Sequence, residues 1–145
     1  MIIKRCLLAV VVICAISTMA QSVAAEINDA RAKFNYQMLC QGCHTPDGTG
    51  AKDVPKIKNF IGNFLTTPKG REYLVRVPGS ANSALNDADL AEVLNWMILN
   101  MGGDSVPNNM QHYTAEEVAK LRQRALFEVV EYRQMLVSEL ELDTK

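Results

Sequence analysis

The sequence of 145 residues predicts an all-α fold. Apolar residues recur every three or four positions over 86–101 and again over 114–140, which is the spacing of one helix face. Helix-start signals mark the same parts of the chain, because residues that favour the cap position stand directly before helix-favouring ones. These signals are Thr67 before Pro68, Asn86 before Asp87, and Thr114 with Glu117 three residues later.

The first 25 residues have the pattern of an export signal. A positive start at Lys4 and Arg5 is followed by a short apolar core and by small residues up to Ala25. The apolar core is too short to span a bilayer comfortably. We therefore expect a signal peptide at 1–25, cleavage after Ala25 and a periplasmic mature chain, with a cut after Ala20 or an uncleaved anchor as alternatives.

The mature chain has the length of one ordinary domain and a modest negative charge. Without Lys4 and Arg5, 13 basic residues remain from the 15 of the whole chain, against 16 acidic ones, so the formal charge is −3. No second apolar run is long enough for a membrane span. This balance gives no reason to expect a nucleic-acid partner.

Cleavage would remove two of the four cysteines and leave only Cys40 and Cys43, with His44 directly after them. Two cysteines three apart followed by histidine form the attachment pattern of c-type haem. Each thiol adds to one haem vinyl group to form a thioether, and His44 can present a ring nitrogen to the iron. We predict one covalent haem c with His44 as the proximal iron ligand.

Other uses of two close cysteines remain open. The pair resembles a redox motif, although the βαβ pattern that usually surrounds such a motif is missing. In an oxidising compartment the two thiols could also form a disulfide. A zinc site would need two more ligands, and His112 is the one further strong candidate in the mature chain.

The first helix is predicted at 28–40, where proline and glycine are absent. Ile27, Ala30, Phe34 and Met38 share one face, and Tyr36 lies on another. Since Phe34 and Tyr36 cannot share a face, we expect only one of them in the core.

Two shorter helices follow a loop that contains Pro55. An amphipathic pattern predicts one helix at 57–65, weakened by Gly62, and Pro68 predicts the start of another that runs to Arg76. The backbone carbonyl of Pro55 could accept the second ring N–H of His44 and orient the ring, although a plain loop proline is an equal alternative.

Two long helices are predicted in the second half of the chain. The helix at 86–101 carries a continuous apolar stripe with Trp96 beside it, and two glycines end it. The last helix, from Thr114 to about residue 140, has one main stripe and a second, narrower one. It is predicted to lie over the core, with a dimer or docking helix as the alternative.

These motifs together resemble those of the class I c-type cytochromes over about residues 30–101. Tyr36 matches the aromatic residue four positions before the first haem cysteine, and Pro55 matches the proline whose carbonyl supports the histidine. Trp96 matches the aromatic residue on the final core helix, which crosses the first helix in that family. The family usually has a glycine eight positions before the first cysteine, where this chain has Ala32.

The resemblance implies a small cytochrome c-like helical domain around one covalent haem at 26–104, with a loop and an extra long C-terminal helix at 105–145. It implies an electron carrier rather than an enzyme. The expected partner is a periplasmic dehydrogenase or oxidase. A basic cluster near the haem crevice could steer an acidic partner towards it. The cluster consists of Lys52, Lys56, Lys58, Lys69, Arg71 and Arg76.

The chain departs from the family at the sixth iron ligand. A methionine followed by proline usually supplies it, and the corresponding place here is Val77-Pro78. The site is then vacant, or a later residue fills it, with Met110 and His112 ranked above Met101. Met97 is assigned to the helical core.

This departure keeps two other functions open. A five-coordinate haem could bind small gaseous ligands or support peroxidase-like activity, for which Arg76 is the nearest candidate for a distal arginine. The chain could also be a cytochrome subunit of a larger dehydrogenase complex, docked through residues 114–140.

Overall fold

The computed structural model describes residues 26–51 and 54–142, so the predicted signal peptide at 1–25 lies outside the described residues. The described part is helical, with one isolated bridge between Ala51 and Val54, and the all-α prediction is confirmed. No helix in these ranges is long and apolar enough to cross a membrane. The α-helices are α1 Asp29–Leu39, α2 Gln41–His44, α3 Pro68–Arg76, α4 Pro78–Ala81, α5 Asp87–Met101, α6 Ala115–Arg122 and α7 Val129–Glu139, and the 3₁₀ helices are Ile61–Thr66 and Gly103–Ser105.

Helices α1 and α5 form the frame of the molecule, and each begins at an asparagine cap. The side chain of Asn28 accepts the backbone N–H of Arg31 at 3.0 Å. The side chain of Asn86 accepts that of Asp89 at 2.9 Å. Each cap satisfies one of the amide groups that the first helical turn leaves without a partner. The predicted starts of both helices are therefore confirmed.

The contact between α1 and α5 is close and partly ionic. Ala32, which replaces the family's usual glycine, is fully buried, so its methyl group is accommodated. The Arg31 guanidinium donates to Glu92 at 2.7 and 2.8 Å. The rings of Tyr36 and Trp96 lie 5.6 Å apart between centroids. An aromatic pair and a two-point ion pair thus hold the two helices together.

The buried face of α1 differs from the face with the most apolar residues. Tyr36 is 1% exposed, whereas Phe34 and Met38 are 59% and 65% exposed. The phenol of Tyr36 donates to the backbone carbonyl of Thr45 directly after the haem motif. Tyr36 is thus the one of the two aromatic residues in the core, because it reaches both Trp96 and the turn at Thr45.

The middle of the chain forms a shorter and later helix than the sequence predicts. Instead of a helix at 57–65, a 3₁₀ helix covers Ile61–Thr66. Gly62 lies against the backbone of Ser105, with no room for a Cβ, and its N–H donates to the Ser105 hydroxyl at 3.0 Å. Helix α3 begins at Pro68 with Thr67 as its cap and ends at Arg76, as predicted.

The prediction of one long C-terminal helix is wrong, because the chain leaves helical geometry between Arg122 and Val129. There the backbone N–H of Leu126 donates to the carbonyl of Arg76 at 2.8 Å. The Arg76 Nε donates in return to the carbonyl of Arg124 at 2.7 Å. Arg76 at the end of α3 thus pairs one amide and one carbonyl that a continuous helix would pair internally.

The two helices α6 and α7 pack on the core. Val118 and Leu136 are fully buried and belong to the same apolar cluster as α5. Helix α6 begins at Thr114, whose hydroxyl accepts the N–H of Glu117 at 3.2 Å, so the predicted start is confirmed. The Glu117 carboxylate pairs with Arg71 at 2.6 Å, so it ties the extension to α3.

Candidate haem site

The two cysteines and the histidine lie on one turn of helix directly after α1. The backbone N–H groups of Cys43 and His44 both donate to the carbonyl of Cys40, at 3.2 and 3.0 Å. The turn ends at Thr45, whose positive φ of 65° stops the helix. This geometry places the two thiols three positions apart within a single turn, with the imidazole next to them.

Both thiols are free and differ in exposure. Cys43 is exposed at the surface, and Cys40 is partly buried. Burial, with a smaller contribution from the neighbouring Cys43, raises the pKa of the Cys40 thiol to about 11. The protonated thiol is therefore the resting form of Cys40 at neutral pH.

The His44 ring has an unused nitrogen in a buried position. Its Nδ1 atom is shielded from solvent and has no partner in hydrogen-bond geometry. Burial lowers the pKa of His44, and the nearby carbonyl of Pro55 opposes this shift without reaching full hydrogen-bond geometry. The neutral imidazole is the form that binds a metal ion.

His44 lines an apolar cavity of about 260 Å³. Besides the haem turn, five parts of the chain contribute to its walls, namely the loop after the haem motif, the 3₁₀ helix Ile61–Thr66, the middle helices, α5 and the C-terminal extension. Besides His44, the lining includes Pro55, Lys56, Phe64, Tyr73, Val77, Pro78, Leu94, Met97, Val129 and Arg133.

These residues fit a covalent haem. The cavity offers apolar walls and the ring of a histidine, and two free thiols lie on the same turn as that histidine. An apolar surrounding is one of the levers by which proteins set the potential of haem iron. Cys40, Cys43 and His44, the site residues expected from the sequence, therefore lie together where a haem can be attached.

The three candidates for the sixth iron ligand lie away from this cavity. Met101 is buried but lines a separate surface groove with Trp96. The side chain of His112 is exposed, and its backbone carbonyl accepts a hydrogen bond from Arg71. Met110 packs against the core and is not among the cavity residues.

Two residues on the cavity wall were missed as site residues. Met97 lies on the apolar stripe of α5, and the same periodicity that places it in the core gives no sign of a site. Arg133 lies on α7, and it reaches the cavity only because the C-terminal chain bends between the two helices. Arg76, the expected distal arginine, instead bonds to the Arg124 carbonyl and does not line the cavity.

The predicted basic cluster is largely neutralised within the molecule. Lys58 pairs with Asp47 at 3.1 Å, and Lys69 pairs with Glu139 at 3.0 Å. Arg71 and Arg76 also have carboxylate partners. Lys52 lies outside the described residues, and Lys56 has no ion pair among the described ones. An attraction for acidic partners by this cluster would therefore depend mainly on these last two lysines.

Comparisons with known proteins agree with this site. The chain is 30% identical over 106 residues to two proteins named cytochrome c-552, both from Thermus thermophilus, the second from a particular strain of that species. The matches cover 60% of this chain, 81% of the first relative and 72% of the second. No family model matches, and no solved structure matches. A Cys-Gln-Gly-Cys-His turn beside an apolar cavity and two relatives of this kind show that the chain belongs to the monohaem c-type cytochromes.

Proposed function

We propose that the mature protein is a periplasmic electron carrier with one haem c attached to Cys40 and Cys43 and ligated by His44. The observation that carries this proposal is the single helical turn that holds Cys40, Cys43 and His44, with the His44 ring at an apolar cavity. When bound, the haem supplies a one-electron couple at its iron. The names of the relatives support an electron-transfer role.

The protein's own residues would bind, shield and orient this group. The apolar walls from Phe64 and Leu94 exclude water from it and favour a low local dielectric. Pro55 lies beside the His44 ring and restricts its orientation. Because Cys43 is exposed, one attachment point lies at the surface, where a redox partner can approach.

The partner is proposed to be a periplasmic dehydrogenase or oxidase. The predicted export signal supports a partner in the same compartment. The exposed position of Cys43 supports a partner that approaches this attachment point and exchanges electrons there without forming a bond to the protein. A subunit role in a larger dehydrogenase complex would use the same haem site, with the exposed side of α7 as a contact surface.

The second candidate function is the binding of small gaseous ligands at a five-coordinate iron. The observation that favours it is the position of Met101, Met110 and His112, none of which lines the cavity. Met97 does line it, on the wall formed by α5. Methionine ligation by Met97 would favour the carrier, and an open iron would favour the ligand binder.

The experiment is an absorption spectrum of the purified protein in both oxidation states, with and without carbon monoxide. A six-coordinate, low-spin ferrous spectrum that carbon monoxide leaves unchanged supports the carrier. A high-spin ferrous spectrum that shifts with carbon monoxide overturns the carrier in favour of the ligand binder. Haem staining on a denaturing gel tests covalent attachment, and N-terminal sequencing of the periplasmic fraction tests export and the cleavage after Ala25.

A further inference from the structure

Arg133 on α7 is the one described arginine without a carboxylate partner. Its Nε atom is buried and makes no hydrogen bond. Its guanidinium carbon lies 5.3 Å from the ring centroid of Phe60 and 6.0 Å from that of Phe64. Every other arginine in the described residues has an ion pair with a carboxylate, namely Arg31, Arg71, Arg76, Arg122 and Arg124.

An unpaired guanidinium at an apolar cavity is costly, because arginine keeps its proton at any ordinary pH. Contact with two aromatic faces compensates for part of the lost hydration. The buried Nε still lacks an acceptor, and a buried donor without a partner is destabilising. The position therefore suits an anion with two oxygen atoms, which can accept the paired N–H groups of arginine.

Haem brings such anions into the cavity, since each haem carries two propionate carboxylates. We propose that Arg133 of the C-terminal extension binds one haem propionate. The proposal rests on the haem site at Cys40, Cys43 and His44. Arg133 lies outside both the haem motif and the region that resembles the cytochromes. The proposal therefore gives the C-terminal extension a direct part in cofactor binding.

The position of Arg133 is held from both sides along α7. One residue before it, Tyr132 stacks on Tyr73 of α3 with centroids 6.1 Å apart and planes 9° apart. Near the end of α7, Glu139 pairs with Lys69 at the start of α3. These contacts bring Arg133 to the cavity wall before haem is bound, so little conformational entropy remains to be lost on pairing.

Lys56 is the competing cation, because it also lines the cavity and has no ion pair among the described residues. Its side chain is exposed, so water already solvates its charge. A propionate gains less from an exposed lysine than from a guanidinium that is already partly desolvated. The geometry therefore favours Arg133 over Lys56.

The test compares Arg133→Gln, Arg133→Lys, Lys56→Gln and the exposed-arginine control Arg124→Gln as haem-loaded proteins. A positive charge near the haem favours the reduced state, so its loss lowers the potential. We expect Arg133→Gln to shift the one-electron equilibrium about tenfold towards the oxidised form, which corresponds to a potential lower by about 59 mV. Resonance Raman spectra should show a shifted propionate bending mode in the same variant.

Arg133→Lys should keep most of the potential and change the propionate mode, because lysine retains the charge and loses the paired donors. If Arg133→Gln yields no haem-loaded protein, the Raman spectrum of Arg133→Lys decides, since an unchanged mode overturns the proposal. An unchanged propionate mode in Arg133→Gln, or a shift in Lys56→Gln alone, also overturns it. Altered carbon monoxide binding in Arg133→Gln with an unchanged propionate mode also overturns the proposal, because this result places Arg133 beside the iron. If the wild-type protein carries no covalent haem, the proposed function itself is overturned. This result is distinct from the outcomes that overturn the role of Arg133.

Discussion

The two walls of the haem cavity are built in opposite ways. The local wall is the helical turn that contributes His44 to the lining, in which the N–H groups of Cys43 and His44 both donate to the Cys40 carbonyl. The distant wall is assembled from Val77 and Pro78 in the middle of the chain and from Val129 and Arg133 near its end. The first wall is specified by neighbours in sequence, and the second only by tertiary packing.

The difference between the two walls predicts which properties of the protein a substitution in each wall will change. The local wall carries the attachment chemistry, which needs particular residue types at particular spacing. The distant wall carries the surroundings of the iron, which depend on how α3 and α7 pack. Substitutions should therefore affect haem attachment on one side and stability, potential and ligand access on the other.

The largest effect is expected on the local wall. Replacing both Cys40 and Cys43 by serine removes both thioether bonds, so covalent haem should fall at least about tenfold on a stained denaturing gel, since a hydroxyl cannot replace the thiol in this addition. Gln41→Ala is the matched control, because Gln41 lies between the cysteines and should leave staining unchanged. Full staining of the double variant would contradict the attachment assigned here.

The next effect tests how firmly the distant wall is held. Arg71 donates to Glu117 at 2.6 and 2.7 Å and to the carbonyls of Gln111 and His112, and it lies 4.0 Å from the Tyr113 ring centroid. Arg71→Met should lower the free energy of unfolding by about 2–4 kcal/mol, because it leaves several acceptors without a donor. Denaturant titration measures this change, and limited proteolysis should show faster cleavage within 105–142.

Lys69→Met is the control for that experiment. Its ion pair with Glu139 joins two side chains that are 59% and 47% exposed. Exposed pairs contribute about 0–1 kcal/mol, so this variant should change little. Equal losses from Arg71→Met and Lys69→Met would mean that the half-buried Arg71 does not anchor the extension.

A smaller effect is expected at the contact between α1 and α5, the two helices that form the frame of the molecule. Glu92 is nearly buried and accepts hydrogen bonds from the Arg31 guanidinium and from the Asn28 N–H at 2.8 Å. Glu92→Gln should cost about 1–3 kcal/mol at neutral pH, since it weakens charge-assisted hydrogen bonds. Unfolding titrations measure this loss, with Glu26→Gln as the exposed control.

The same variant should alter the acid stability of the protein. The hydrogen bond from Arg31 lowers the pKa of Glu92 in the folded state. The contribution of the Glu92 carboxylate to the free energy of unfolding is therefore complete above the unfolded pKa of about 4.3. This contribution is lost as the pH falls through the lower folded pKa. The wild type should lose this increment below about pH 4, and Glu92→Gln should not. An acid profile of the variant parallel to that of the wild type would contradict this role.

The smallest effect on stability is expected at Phe127, in the segment between α6 and α7. Its side chain is 93% exposed, so Phe127→Ser should change the free energy of unfolding by less than about 0.5 kcal/mol. If residues 114–140 mediate a dimer, sedimentation should show weaker self-association in this variant. Unchanged association would place any dimer surface elsewhere.

The parts of the fold that local chemistry determines could be predicted from the sequence. The asparagine caps of α1 and α5, the Thr67-Pro68 start of α3 and the haem turn all depend on residues within a few positions of one another. The break after Arg122 could not be predicted, because it depends on hydrogen bonds between Leu126, Arg124 and Arg76, which are far apart in sequence. For the same reason, no pattern in the sequence indicates that Arg133 lies at the cavity.

The side chain of Arg122 has a consequence for how this protein can evolve. Its guanidinium donates to the backbone carbonyls of Ala81, Ser83 and Leu85, and it pairs with Asp87 at 2.9 Å. These carbonyls belong to the connection that follows Val77 and Pro78, two residues of the cavity lining. Because the contacts reach main-chain oxygens, side chains in this connection can drift while its path is kept. The path of this connection thus depends on one arginine codon further along the gene, and its loss would alter the cavity lining at Val77 and Pro78.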